Sequence, residues 1–509
     1  MRKLLTILLL LISLSLFGQT FYVSPSTGND GDSGLDTTNA WATWQKAFST
    51  ADAGDTVYFR GGVWYPTSHA YQNGVTFIDP TNSQGLGNIG HNGTYGSPVC
   101  FLNYPGETPI LDCSKVDLTG HTFNQGLCIA EAQYLVFKGL TIRNVWQKGE
   151  VVQCFGIYAF AIANITYERM TVNTVAGVGI RHFGWIGTGV DEYGFTTDTS
   201  SWTNCDVYNN FDTINIGGDP GNAADGWKVN NNYDPEYGGC YYTFTGNRAW
   251  KNSDDGFDPS GSGIVIFNNN WSFLNGVTWL GEQTEGNGFK SGGVNDSLTY
   301  PTRYAYNNIS AFNLGIGYYD LEYPNYYRNR SWIHNNIFYK NDIGISISAN
   351  NLHSPDSSYS WYRNNIIYGT KTVDAGSRPY NLDVSFKYAE SHNTWDYGEP
   401  GSLPHWTPTD TVTVTDADFV LINDSVTITN QLRAARKSNG NLPDITAFRL
   451  AEGSDLIDAG TNVGMSATPD IGIDWAYFDI QHPSTSKKLS LSKNGKWTIS
   501  KRNNLLISR

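Results

Sequence analysis

Charge is scarce in this chain. Only 16% of its 509 residues are Asp, Glu, Lys or Arg, and the balance is acidic, 47 against 33, for a formal net charge of −14. That balance argues against a nucleic-acid partner, which needs a basic face, but not against an acidic polymer met by a few local lysines and a cation. Long apolar runs are also missing. After Leu4–Phe17 no stretch approaches the length of a membrane-spanning helix, so no membrane span is expected. The six cysteines, at positions 100, 113, 128, 154, 205 and 240, show no C-x-x-C spacing and give no reason to invoke zinc; disulfides and buried free thiols stay equally open.

What the chain has in quantity is turn formers and strand formers. With 54 glycines, many asparagines and 14% aromatics, and with little of the composition of helices, it reads as a large all-β protein. Arg2 and Lys3, the apolar run Leu4–Phe17 and the small Gly18 have the three parts of an export signal, so residues 1–18 are expected to be removed and the mature protein to be secreted or periplasmic.

Two repeats organise the rest. Pairs of asparagines five apart recur as Asn204/Asn209, Asn247/Asn252, Asn270/Asn275, Asn308/Asn313 and Asn336/Asn341, at intervals of 43, 23, 38 and 28 residues. A unit as short as 23 residues is too small for a propeller blade and cannot bury its own core, whereas coils of a solenoid can stack with asparagines laddered at one turn. We therefore expect a right-handed parallel β-helix over residues 20–396. An amphipathic helix over residues 41–52, with Trp44, Ala47 and Phe48 on one face, would cap its first rung. The rhythm breaks near Asp396, and residues 397–483 are expected to form an extension packed on the coils. Residues 484–509 carry seven Lys and Arg and no acid, and read as a flexible basic tail.

The second repeat carries chemistry. Asp225-Gly226-Trp227-Lys228, Asp255-Gly256-Phe257-Asp258 and Asn287-Gly288-Phe289-Lys290 align residue for residue. On successive rungs, about 4.8 Å apart, Asp225, Asp255 and Asn287 would form one column and Lys228, Asp258 and Lys290 the next, with Asp254 beside them. Crowded hard oxygens call for a cation such as calcium, and a lysine beside it can lose its proton more easily. The patch reads as a metal-assisted catalytic site. Taken singly, Asp-Asp-Gly is more often a turn and a lone lysine more often a solvated surface group.

The segments NAADGW, AWKNSDDGFD, GNGFKSGG and LPDITAFRLAEGSDLIDAG, in that order along most of the mature chain, resemble polysaccharide lyase family 9, the pectate-lyase-like parallel β-helix proteins. The resemblance implies β-elimination on an acidic polysaccharide, Ca2+ held by Asp225, Asp254, Asp255 and Asp258, and Lys290 as the base. Lys228, Arg303, Arg328 and Arg330, with Arg181, are candidates to meet substrate carboxylates, and the protein is expected to act as a monomer. Partial burial and a neighbouring calcium are expected to lower the pKa of Lys290. Two other readings share the fold: a polygalacturonase-type hydrolase using paired acids and water, and a non-catalytic carbohydrate-binding or adhesive solenoid. No Gly-His-Gly or Arg-Ile-Lys segment of the hydrolase kind is present.

Overall fold

The computed structural model describes residues 18–68, 76–78, 90–119, 124–147, 154–184, 198–212, 221–231, 240–260, 263–276, 286–292, 302–321, 330–348, 360–370, 380–382, 388–394, 413–481, 488–491 and 497–500. Residues 1–17 of the expected export signal, Arg328 and much of the basic tail lie outside them.

Three long parallel sheets make up the body. The first has twelve strands, from Thr20–Val23 to Tyr388–Ser391; the second has ten, from Thr76–Ile78 to Tyr380–Leu382; the third has ten, from Gly62–Trp64 to Ile366–Tyr368. Successive coils supply successive strands of each sheet, so a strand inside a sheet pairs in parallel with those one coil before and after it. This is the right-handed parallel β-helix that the repeats predict. Alternation sets the interior: along Thr56–Phe59 and Leu135–Lys138, buried residues alternate with half-exposed ones, and Val57, Phe59, Leu135 and Phe137 point inward. The helix α1 (Trp44–Thr50) is capped by the Thr43 side chain and buries Trp44, Ala47 and Phe48 against the first coils.

The asparagine repeat is a two-residue device. At each turn a residue in the left-handed region, such as Asn269 (φ 58°), Asn307 (φ 55°) or Asn335 (φ 57°), is followed by an asparagine whose side chain enters the coil. The inward side chains donate to one another coil by coil: Asn247 to Asn270 at 3.0 Å, Asn270 to Asn308 at 3.1 Å, Asn308 to Asn336 at 2.9 Å, and Asn336 to Asn365 at 3.0 Å. A second ladder runs through Asn210, Asn252, Asn275, Asn313 and Asn341. Three-residue strands of the third sheet, such as Trp271–Phe273, span the gap between the two ladders, which explains the spacing of five. In the first pair the structure corrects the sequence register by one residue. Asn204 and Asn209 are the left-handed residues, and Cys205 and Asn210 hold the inward positions.

From Arg248–Trp250 to Ile337–Tyr339 the third sheet is buried on both faces, whereas its earlier strands keep a half-exposed outer face. Trp271, Phe273, Ile309, Ile337 and Ile366 face outward into a second core formed with Phe419, Ile428, Leu432, Phe448, Ile471 and Trp475. This covering segment, residues 413–481, includes helices α2 (Ser425–Leu432) and α3 (Trp475–Gln481). The left-handed asparagines hold it: Asn307 donates to Asp474 O, Asn335 to Asp470 O and Gly472 O, and Asn364 to Thr461 O. Because the segment lies on the third sheet, the outer face of the second is left for chemistry. Farther along, Lys488–Leu491 pairs antiparallel with Trp497–Ser500 within the region expected to be a basic tail. All six cysteines are free thiols.

Candidate active site

Three consecutive strands of the second sheet, Trp227–Asn231, Phe257–Pro259 and Phe289–Gly292, carry the motif. Trp227 pairs with Phe257, and Phe257 with Phe289. Their rings turn inward and stack with centroids 4.5 and 5.0 Å apart and planes within 5° and 7°. That stack holds the three rungs in register, and alternation turns the next residue of each outward. Lys228 lies opposite Asp258, and Lys290 takes the matching place on the third rung.

The glycine before each aromatic is a packing requirement. A Cβ on Gly226 would lie 2.8 Å from Asn252 Nδ2, and on Gly256 or Gly288 it would lie 2.1 Å from Ser272 Oγ or Ser310 Oγ. The Asp-Gly-aromatic triplet therefore places a carboxylate at the end of a strand that can close onto the asparagine ladder.

Asp225, Asp255 and Asp258 converge, each able to offer an oxygen within 4.8 Å of the others. Asp254 is outside that converging set but close enough for the charges of Asp255 and Asp225 to act on it. All four are buried. Lys228 Nζ bridges Asp225 Oδ2 at 3.0 Å and Asp258 Oδ2 at 2.9 Å. Lys290 Nζ forms an ion pair with Asp255 Oδ2 at 2.9 Å. Asn287 holds the other oxygen, Asp255 Oδ1, with its backbone N–H at 2.9 Å and its Nδ2 at 2.7 Å. Asp225 Oδ1 and Asp254 Oδ1 are buried and accept no hydrogen bond from any described residue. Buried carboxylate oxygens without donors are costly unless something positive meets them. A set of hard oxygen donors with unclaimed lone pairs fits a calcium-sized cation.

Electrostatics agree with this reading of the donor set. Burial, and then the charge of Asp258, raises the pKa of Asp225; burial, and then Asp255 and Asp225, raise that of Asp254. Burial pushes Asp255 up to about 7 against the pull of Lys290. Burial also opposes the charge on Asp258, but Lys228 and Lys290 outweigh it and hold that carboxylate below its ordinary value. For Lys290, burial favours the free amine, but the charges of Asp255, Asp258, Asp225 and Asp254 outweigh it and raise the pKa; the expected lowering needs a cation to neutralise those carboxylates.

The candidate arginines separate. Arg303 is fully buried inside the coil, donating to the carbonyls of Gly263 at 2.9 Å and Gly292 at 2.7 Å, so it cannot meet a polymer and the substrate-binding expectation is corrected. Arg330 is half-buried on the first sheet, a different face from the aspartates. Arg181 stands beside the cluster, opposite Lys228 on the preceding rung. Sequence reasoning missed the clamp of Asn287 on Asp255, although its place in the aspartate column pointed to it.

Residues 21–363 match the family described as "Pel9A-like, right handed beta helix region". The chain belongs to this family. Curated relatives include pectate lyase L of Dickeya chrysanthemi, 26% identical over 89% of each chain, and pectate lyase PEL9 of Emericella nidulans, 27% identical over 66% of this chain and 80% of that one. Among solved structures, pectate lyase Pel9A superposes with a TM-score of 0.63 at 23% identity, covering 90% of this chain and 96% of that one. A rhamnogalacturonan lyase gives 0.66 at 24% identity, covering 86% and 98%. Like these Pel9A-like relatives, the chain is a polysaccharide lyase. No helix among the described residues is long and apolar enough to cross a membrane.

Proposed function

We propose that this Pel9A-like chain is exported and cleaves a uronate-containing, pectin-type polysaccharide, pectate or rhamnogalacturonan, by calcium-dependent β-elimination. In this reading Lys290 is the base, and Asp225, Asp254, Asp255 and Asp258 hold the cation. The observation that carries it is the placement of the Lys290 amine 2.9 Å from a buried aspartate whose neighbours leave oxygens unclaimed. The names of the pectate lyase and rhamnogalacturonan lyase relatives support the polymer class, and the apolar run Leu4–Phe17 behind Arg2 and Lys3 supports export.

The C5 hydrogen of a uronate lies next to its carboxylate, so removing it builds charge on a group already anionic. A bound divalent cation supplies the countercharge for that carboxylate and makes the C5 proton more acidic. Lys290 Nζ takes the proton; the electron pair forms the C4–C5 double bond as the C4–O4 bond breaks, and the departing O4 picks up a proton to become a chain end. Lys290 has to be neutral for this step. Aspartates engaged with a cation no longer hold it as ammonium, and its burial then favours the amine. Lys228 ties Asp225 on its own rung to Asp258 on the next.

The test is incubation with polygalacturonate and with rhamnogalacturonan, with added calcium and with excess chelator. Unsaturated products absorbing in the near ultraviolet, formed only with calcium, support the reading. Reducing ends without that absorbance indicate a hydrolase, and no product from either polymer indicates a binding protein.

A further inference from the structure

Among the described residues Arg181 forms no ion pair, although the charges of Asp225 and Asp258 reach it. It lies in the Val178–Gly184 strand of the second sheet, between Tyr158 and Lys228 on the neighbouring rungs, and so on the outward column that continues through Asp258 to Lys290. The residue is half-buried, and none of the ion pairs among the described residues includes it. Among the described residues Asp225 and Asp258 pair with Lys228 and Asp255 with Lys290, and none of these carboxylates is in ion-pair contact with Arg181. Its fork is held at one end: Nη1 donates to Asn230 Oδ1, and Asn230 Nδ2 in turn donates to Ser260 Oγ. The guanidinium stands over the Phe183 ring, 5.7 Å from its centroid. A partly desolvated guanidinium positioned by a neutral amide, with the rest of its fork unmatched by any carboxylate among the described residues, is built to receive a carboxylate from outside.

Its place on the ladder says which one. Arg181 is two rungs from Asp258, about 10 Å at the spacing of paired strands. A 4-linked pyranose with its bridging oxygen covers roughly one rung. A chain lying along the column would present to Arg181 the carboxylate of a sugar two units from the one at the aspartates. The intervening rung carries Lys228, already bridged to two aspartates.

We propose that Arg181 is a specificity-determining residue that binds the carboxylate of a uronate two units away from the scissile uronate. A polymer whose carboxylates fall on every unit satisfies it, and so does one in which they alternate with neutral sugars. The inference rests on the lyase reading for its direction along the chain, but its central claim is about binding.

Wild type, Arg181→Ala, Arg181→Lys and Asn230→Ala are compared on a galacturonate dimer, on a longer galacturonate oligomer and on the methyl-esterified form of that oligomer. For Arg181→Ala the expected result is a KM for the long acidic oligomer raised about tenfold or more, with kcat changed less than about twofold. The dimer, too short to reach Arg181, and the esterified oligomer should show no such difference. Arg181→Lys should recover part of the affinity, and Asn230→Ala, which frees the fork, should fall between. Equal KM values for wild type and Arg181→Ala, or an equal loss on the esterified oligomer, would overturn the assignment. Calorimetric titration of the same oligomers separates this outcome from a failure of the lyase reading. If no protein yields unsaturated product yet wild type binds the acidic oligomer about tenfold more tightly than Arg181→Ala, the assignment of Arg181 stands alone. If wild type and variant bind it equally, or neither binds it, the assignment is wrong.

Discussion

Lys290 Nζ and Asp255 Oδ2 lie 2.9 Å apart on adjacent rungs, at a point where the aspartate is fully buried and Asn287 claims its other oxygen. In the proposed mechanism this pair is a latch. While it is closed, the lysine keeps its proton, and the carboxylate has an alternative to a cation. Opening it prepares both groups for the proposed reaction at once.

Replacing Lys290 with Ala removes the proton acceptor and leaves the four aspartates in place. Turnover should fall by about 10²-fold or more, while calorimetry should show calcium still bound, with affinity unchanged or higher because a competing cation is gone. Near-normal turnover would transfer the role of base to Lys228.

Asp255→Ala attacks the other half of the latch. Calcium affinity should drop strongly, and excess calcium should restore part of the turnover because Lys290 remains. The same excess should do nothing for Lys290→Ala. Equal recovery in both variants would mean that the two residues do not divide the work in this way.

Proton and metal should compete at Asp255. Its pKa is raised to about 7, so below that pH the metal-free carboxyl carries a proton that a cation has to displace. Apparent calcium affinity, measured by titration at several pH values, should weaken as pH falls through about 7. Turnover should rise with pH, because Lys290 acts only as the free amine. An optimum near pH 5 would contradict both expectations and favour a carboxylate-based hydrolase.

A fourth prediction concerns stability. Both ring nitrogens of His334 are buried without hydrogen-bond partners among the described residues, and its ring lies 5.6 Å from that of Tyr306. Burial, helped by Arg363, lowers its pKa from 6.5 to about 3. The unfolded chain takes a proton there below 6.5 and the native protein does not, so this contribution to stability is present above 6.5 and is lost progressively as pH falls toward 3. At pH 5 the loss is about 2 kcal/mol. Denaturant unfolding of His334→Phe should lack this part of the acid slope; an unchanged slope would show that the histidine does not titrate as described.

The columns of the active site were legible in the sequence because strand pairing adds no freedom once the rungs are aligned. If Trp227 meets Phe257, then Lys228 must meet Asp258. Other features were harder to read. Spacing alone could not tell the left-handed residue of each turn from the inward one that follows it, since both are commonly asparagine; at the first pair the structure gives Asn204 the left-handed place and Cys205 the inward one. Arg303 looked like a surface cation because charge is rarely placed inside, yet it has the same parity as inward Ala305 and finds backbone carbonyls to meet its donors. The clamp of Asn287 on Asp255 needed coordinates, because one residue type serves equally in a ladder, a turn or a clamp.

The two-residue turn has a consequence for how the molecule comes apart. Its inward asparagine ties each coil to the next, and its left-handed asparagine, at Asn307, Asn335 and Asn364, ties the same coil to residues 413–481. Stacked repeats ordinarily fray from an end, one unit at a time. Here a strap runs lengthwise along the stack and is stitched to it at successive turns, so a late coil cannot peel away without lifting the strap from its neighbours, and those coils should melt together, as a bound book resists losing a single page.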